Sequence, residues 1–323
     1  MKHPHSPALQ PAPAGTGPLM IGKWSALASW LVTLCLAWPG AAVAAGPEPE
    51  DDNVRHAGSE AGEEREFEIS DGVKMVFCWV PAGSFQMGSP EGAVGRYEDE
   101  GPVREVRISR GFWLAKYPVT QREWEAVMGS NPSTFNRERV GADTSRHPVE
   151  NVSWQDIGGD EDRQGGFLGR VNRHAPEGWH YDLPTEAQWE YACRAGTTSA
   201  LNSGKELTSE HGRCRNLDEV AWYDGNSGTQ PVGQKEANAW GLHDMHGNVW
   251  EWCRDWYQNN YGGLPTVDPE GPANGARRVI RGGSWSNHAV SCRAACRYRL
   301  TPGFRIRYLG FRPALVPSRQ GER

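Results

Sequence analysis

Between Gly241 and Arg312 the chain interleaves tryptophan, glycine and arginine instead of spacing apolar residues at a helical or strand period. GLHDMHGNVWEWCRDWY runs from Gly241 to Tyr257, RVIRGGSW from Arg278 to Trp285, and YLGFR from Tyr308 to Arg312. No long amphipathic element fits such a segment, because no face collects the apolar side chains. Its core has to come from aromatic planes held between tight turns. Composition agrees, with 39 glycines in 323 residues and 12 of the 15 tryptophans lying after residue 45. Short strands with Gly and Asn turns are expected from Gly196 to Pro302, and no repeat of fixed period is visible.

Regular signals are stronger upstream. Lys74 to Met87, KMVFCWVPAGSFQM, predicts a strand, a turn at Pro81-Ala82-Gly83 and a second strand. Val103 to Tyr117 has strand character. Thr120-Gln121-Arg122-Glu123 has the spacing of a capping box, in which the threonine hydroxyl and the glutamate satisfy each other's free amides. Trp124, Val127 and Met128 would be the buried face of that helix. Ser153-Trp154-Gln155-Asp156 opens a shorter helix, interrupted by the insert GGDEDRQGG, and Thr185-Glu186-Ala187-Gln188 opens another through Ala192.

Met1 to Ala45 is read as a segment outside this fold. Lys23 precedes the apolar run Trp24 to Trp38, and Ala42-Val43-Ala44 offers a small-residue cleavage site, the pattern of a secretory signal. The run falls short of the roughly 20 apolar residues of a membrane span. Residues 46–65 are acidic and nearly free of large apolar groups, as in a flexible linker. Order is expected from near Phe67, with one domain over 66–316 and a tail at 317–323. The chain is thus read as exported, periplasmic or secreted, with no stable membrane span.

Loss of Met1 to Ala44 removes Lys2 and Lys23 and no acidic residue, so the formal charge of -6 becomes 32 - 40 = -8. That balance argues against a nucleic-acid partner. Nine arginines, and no Lys, Asp or Glu, lie between Arg277 and Arg312. They either pair with acids and tryptophans of the same domain or form an anion site. Six cysteines remain after residue 45, an even number that suits disulfides in an exported chain, and spacing alone leaves the pairing open.

VPAGSFQMGS (Val80 to Ser89), YPVTQREW (Tyr117 to Trp124), HPVENVSW (His147 to Trp154) and LPTEAQWEYACRAGT (Leu183 to Thr197) precede the three C-terminal motifs. In this order they resemble the sulfatase-modifying family typified by the formylglycine-generating enzyme, over residues 66 to 316. The resemblance implies an α+β, loop-rich, C-type-lectin-like fold with little regular secondary structure.

It also implies where chemistry would sit. The family's copper enzymes carry a cysteine two positions after GGS[YW] and another five further on. Here those positions are Asn287 and Cys292. Soft thiolates select Cu(I), and an amide does not replace one, so copper is not expected. Counting back from Thr301-Pro302 instead aligns Cys292 with the structural cysteine of the non-catalytic branch, and the resemblance pairs it with Cys193. The family's calcium site maps onto Asp244, Gly247, Val249 and Glu251, oxygen donors on a bent backbone that suit Ca²⁺. The competing reading is a tight turn in which Asp244 caps amides and Glu251 pairs with an arginine. A second family calcium site near Asn216, Leu217 and Asp224 departs in spacing.

Trp285, Asn287, His288, Tyr298, Arg299, Phe304, Arg307 and Tyr308 are read as the rim of the family's pocket, a mixture of aromatic, amide and guanidinium groups suited to binding a protein, a peptide or another extracytoplasmic ligand. Related targets of diversity-generating retroelements place their variable residues there. His243, His246, His211 and His288 could serve iron only as a facial set with a carboxylate such as Asp244, and Ser284 lies outside a nucleophile-elbow motif. Two functions follow. One is a non-copper binding or accessory module with structural calcium. The other is an oxidoreductase of the family, either a formylglycine-generating oxidase acting on sulfatase cysteines or a periplasmic tailoring oxidase like its pyoverdine-maturation member.

Overall fold

The computed structural model describes residues 56–158, 165–224 and 228–318. The secretory segment expected at 1–45 and most of the insert after Ile157 lie outside the described residues.

The strands are β1 (Glu64–Ser70), β2 (Val73–Val80), β3 (Gly83–Met87), β4 (Arg104–Ile108), β5 (Phe112–Ala115), β6 (Trp179–Asp182), β7 (Ala221–Trp222), β8 (His246–Gly247), β9 (Trp250–Trp256), β10 (Arg278–Arg281), β11 (Arg297–Leu300), β12 (Leu309–Gly310) and β13 (Ala314–Pro317). One sheet has the order β1-β2-β5-β13-β6, a second β11-β10-β9-β12, and β3-β4 and β7-β8 form separate two-stranded ladders. The helices are short: α1 (Gln121–Met128), α2 (Arg137–Val140), α3 (Trp154–Gly158), α4 (Phe167–Val171) and α5 (Glu186–Arg194). This is the α+β, loop-rich fold expected.

Capping chemistry sets the two longest helices. Thr120 Oγ1 accepts the Glu123 N–H at 3.3 Å while Glu123 Oε2 accepts the Thr120 N–H at 2.8 Å, and Gly129 closes α1 in the left-handed region. Trp124 then stacks on Phe167 of α4, with centroids 5.5 Å apart. Thr185 and Gln188 make the same reciprocal cap at the start of α5, which runs two residues past the expected end. Every α5 residue except Gln188 is buried.

The strand from Lys74 turns at Pro81-Ala82 as expected, but its halves join different sheets: β2 pairs with β1 and β5, and β3 with β4. Val103 to Tyr117 splits at Ser109–Gly111 into β4, which pairs with β3, and β5, which pairs with β2 and β13, and Gly111 lies against the Trp79 ring where an added Cβ would sit 2.2 Å from it. The acidic stretch expected to be a flexible linker through Arg65 enters the fold earlier. Gly58 packs on Trp79, Trp113 Nε1 donates to His56 O at 2.8 Å, and β1 starts at Glu64. The cause is the alternation that buries Phe67 and Ile69 while Glu64, Glu66 and Glu68 face solvent. At the other end, β13 runs to Pro317, one residue into the expected tail.

Trp113, Trp189 and Trp252 are completely buried in a core that also contains ion pairs. Arg281 pairs with Glu190, Arg293 with Glu100, Arg297 with Glu186 and Arg312 with Glu251, all buried. Arg278 lies between the rings of Trp154 and Trp256, 4.0 and 3.5 Å from their centroids. The arginine-rich segment therefore serves the domain's own acids and tryptophans to a large extent, as the first of its two readings holds. Breaking such a buried pair leaves an uncompensated charge, so these contacts fix one arrangement of the loops.

Candidate functional site

β10 is followed by Gly282-Gly283, and both residues adopt positive φ. At Gly283 a Cβ would lie 2.6 Å from Cys292 Sγ, so only glycine lets the turn close over that thiol. The chain then buries Ser284 and Trp285 and presents Asn287. Trp250, at the start of β9, donates its indole N–H to Asn287 Oδ1 at 2.8 Å, and Ser284 Oγ donates to the same oxygen at 2.5 Å. Two donors from different segments thus converge on the amide at the position where the resemblance would require a thiolate.

Cys292 is buried beneath this turn, and burial pushes its thiol well up from the ordinary range. His246 stands close by. Its Nδ1 donates to Cys292 O at 2.6 Å, its Nε2 accepts the Asn202 N–H at 3.0 Å, and Nε2 is 3.8 Å from Cys193 Sγ. Burial lowers the His246 pKa to about 4, so the ring is neutral. Burial also raises the Cys193 thiol to about 12. The six described cysteines are all buried and unbridged, Cys193 and Cys292 among them.

The residues read as a rim divide between two faces. Tyr298 on β11 lies 6.2 Å from the Trp250 ring, and Tyr308 is raised first by burial and then by Tyr298 nearby. Arg307 lies 5.7 Å over Trp285, whose indole donates to Arg307 O at 3.3 Å. Tyr298 and Phe304 are 53% and 39% exposed, which is unusual for large apolar side chains in this domain. Trp285, Asn287, Tyr298, Arg307 and Tyr308 are therefore linked around Trp250, with Phe304 on the adjoining loop. Arg299 alternates away from Tyr298 along β11, bonds Tyr257 Oη at 2.9 Å and pairs with Asp99 at 3.6 Å. His288 turns to Asp224 at 2.9 Å and lies against His211, with ring centroids 4.9 Å apart.

Glu150, in the HPVENVSW motif, was not singled out from sequence. It is fully buried, accepts the Phe135 N–H at 2.7 Å, and Phe135 meets Trp285 edge-on at 5.3 Å. Burial raises its pKa to about 7. Its signal was an acid between Val149 and Val152, both of them buried.

At the proposed calcium positions, Asp244 is buried with φ 55°, its carboxylate accepting the Gly233 N–H at 2.8 Å and the Asn248 amide at 3.3 Å. Burial pushes its pKa up. Among the described residues no Lys or Arg forms an ion pair with it. Gly247 and Val249 are buried beside it, and Glu251 accepts Arg312 through both oxygens at 2.8 Å and Trp189 Nε1 at 2.6 Å. Both parts of the turn reading are present, since Asp244 caps an amide and Glu251 holds an arginine. The oxygen donors also fit a hard cation: Asp244 has only neutral hydrogen-bond partners, and a carboxylate has about four lone-pair sites, of which Glu251 uses three. His243, bonded to Lys235 O at 2.8 Å and tilted against the Tyr117 ring, is not gathered with His246 into a facial set.

A cleft of about 1020 Å³ opens elsewhere, lined among others by Trp154, His180, Asp182, Arg254, Trp256 and Arg278. None of the rim residues lines it. Arg254 and Trp256 are neighbours at i, i+2 on β9, a pairing that strand alternation makes visible only once β9 is known.

The Sulfatase-modifying factor enzyme 1-like domain model matches residues 65–316. The chain is 32% identical over 277 residues to the formylglycine-generating enzyme of Streptomyces coelicolor, covering 73% of this chain and 87% of that protein. Treponema denticola variable protein 1 superposes with a TM-score of 0.64 at 31% identity, covering 79% of this chain and 99% of that one. PvdO from Pseudomonas aeruginosa gives a TM-score of 0.64 at 26% identity, over 80% and 99%.

Proposed function

Because this chain belongs to the sulfatase-modifying factor enzyme 1-like family, we propose that it is an exported member working without copper, as a binding or accessory module whose contact surface is the aromatic rim around Trp250. One observation carries the reading. Asn287 Oδ1 accepts both Trp250 and Ser284, so an amide oxygen already uses the donors of this turn, while Cys292 lies buried below it with its thiol pushed up by burial. A thiol held neutral is a poor ligand for Cu(I), which is bound by thiolates. Tyr298, Phe304 and Tyr308 supply the rigid, partly exposed rings that interfaces favour, and Arg307 adds a cation beside them.

Calcium has a structural role in this proposal, held by Asp244, Glu251 and the backbone of Gly247 and Val249, where it would neutralise the buried Asp244 charge. The periplasm or the outside of the cell is the compartment, and a protein or peptide is the partner. The test is incubation of the purified chain with Cu(I), oxygen and a peptide containing Cys-x-Pro-x-Arg, followed by mass spectrometry. The peptide is expected back with its cysteine intact; an aldehyde product would make the chain an oxidase of its family instead.

A further inference from the structure

We propose that Glu68, Asp71 and His174 form a second metal site, for a divalent transition ion of the zinc type, on elements that belong neither to the rim nor to the Asp244 turn. Glu68 is on β1, Asp71 is in the β1–β2 turn, and His174 is in the 3₁₀ turn Asn172–His174 that follows α4. Each offers one ligand atom, and the three atoms all lie within 4.8 Å of one another. Among the described residues no other His, Cys, Asp or Glu group of three meets that condition.

Hydrogen bonds around the three residues hold the arrangement. Gly72 N–H donates to Glu68 Oε1 at 3.1 Å, which fixes the carboxylate over the hairpin turn and leaves its second oxygen available. The side chain of Asn172, two residues before the histidine, bonds the backbone N–H and C=O of Tyr181 at 2.7 and 2.9 Å. Tyr181 Oη in turn donates to Glu68 O at 3.3 Å. The histidine segment and the hairpin are therefore tied to the same residue of β6, which satisfies the demand of a metal site for ligands held in place by their surroundings.

Charge supplies the second argument. Two carboxylates meet an imidazole here, yet among the described residues no Lys or Arg forms an ion pair with Glu68 or Asp71; Lys74, the cross-strand neighbour of Glu68, pairs with Glu66 at 3.6 Å instead. Like charges this close repel unless a cation joins them. One nitrogen and two carboxylate oxygens suit Zn²⁺, whose remaining positions would be filled by water because both acids are exposed. Bound metal would clamp the β1–β2 hairpin to the turn after α4.

The test uses the full chain, stripped with a chelator, and Zn²⁺ alone as the probe in calorimetric titration. Binding with a rise in Tm is expected for the parent, and at least a tenfold loss of affinity in both His174→Ala and Asp71→Asn. Asp71 is exposed and His174 half-buried, so the metal-free variants should melt close to the parent. Co²⁺ absorption of the parent provides a readout independent of any variant: nitrogen and oxygen ligation without a thiolate charge-transfer band is expected. No binding by the parent, parent-like affinity in both variants, or a thiolate band would overturn the proposal.

Discussion

Arg312 grips both carboxylate oxygens of Glu251 at 2.8 Å, and through Nη2 it also holds His243 O at 2.8 Å, so the GFR segment and the HGNVWE segment are fastened at one buried point. Replacing Arg312 with Met should destabilise the domain by about 3–5 kcal/mol, because Glu251 would stay buried without its cation. The double variant Arg312→Met with Glu251→Gln should recover part of that loss. Urea denaturation measures both, and a loss below about 1 kcal/mol for the single variant would contradict the role given to the pair.

Asn287→Ala removes the shared acceptor of Trp250 and Ser284. A cost of about 1 kcal/mol is expected, since the site is only half-buried and water can take up part of the bonding. Asn287→Asp keeps the acceptor and should stay close to the parent in Tm.

Glu150 makes stability depend on pH in a definite direction. Its folded pKa is raised from 4.5 to about 7, so between these values the unfolded chain has released a proton that the folded chain keeps. Stability therefore falls as pH rises through that window, by about 3 kcal/mol for a shift of this size. Glu150→Gln cannot ionise, and relative to the parent it should gain stability from pH 4.5 to pH 7.5. Asp255, raised to about 7 by burial and by Glu186, has the same direction and cancels in the comparison. A parallel pH profile for parent and variant would remove Glu150 from this role.

Much of this architecture was legible in the chain. Thr120 with Glu123 and Thr185 with Gln188 announce their helices because capping is local, a matter of residues three apart. The sheet assignments of β2 and β3 were not legible, since pairing partners far away in sequence decide them. Nor was the inclusion of residues 56–65 in the fold, because acidic solvent-facing positions of β1 hide the alternation that buries Phe67 and Ile69. At the site, the motif order indicated Trp285, Asn287 and Tyr308, but one-residue alternation along β11 separates Tyr298 from Arg299, and only the paired strand reveals it.

Calcium at the Asp244 turn would stabilise the native state by mass action, about 2.7 kcal/mol at a hundredfold excess over Kd. EGTA should then lower the parent's Tm by several degrees and leave Asp244→Asn unchanged. An EGTA-insensitive parent would mean that the turn is held by hydrogen bonds and the Arg312 pair alone.

The proposed working without copper is tested most directly by copper-edge X-ray absorption of the full chain after equilibration with Cu(I) and removal of the excess. No retained linear two-sulfur centre that depends on Cys292 is expected. A two-sulfur signal lost in Cys292→Ser would contradict it.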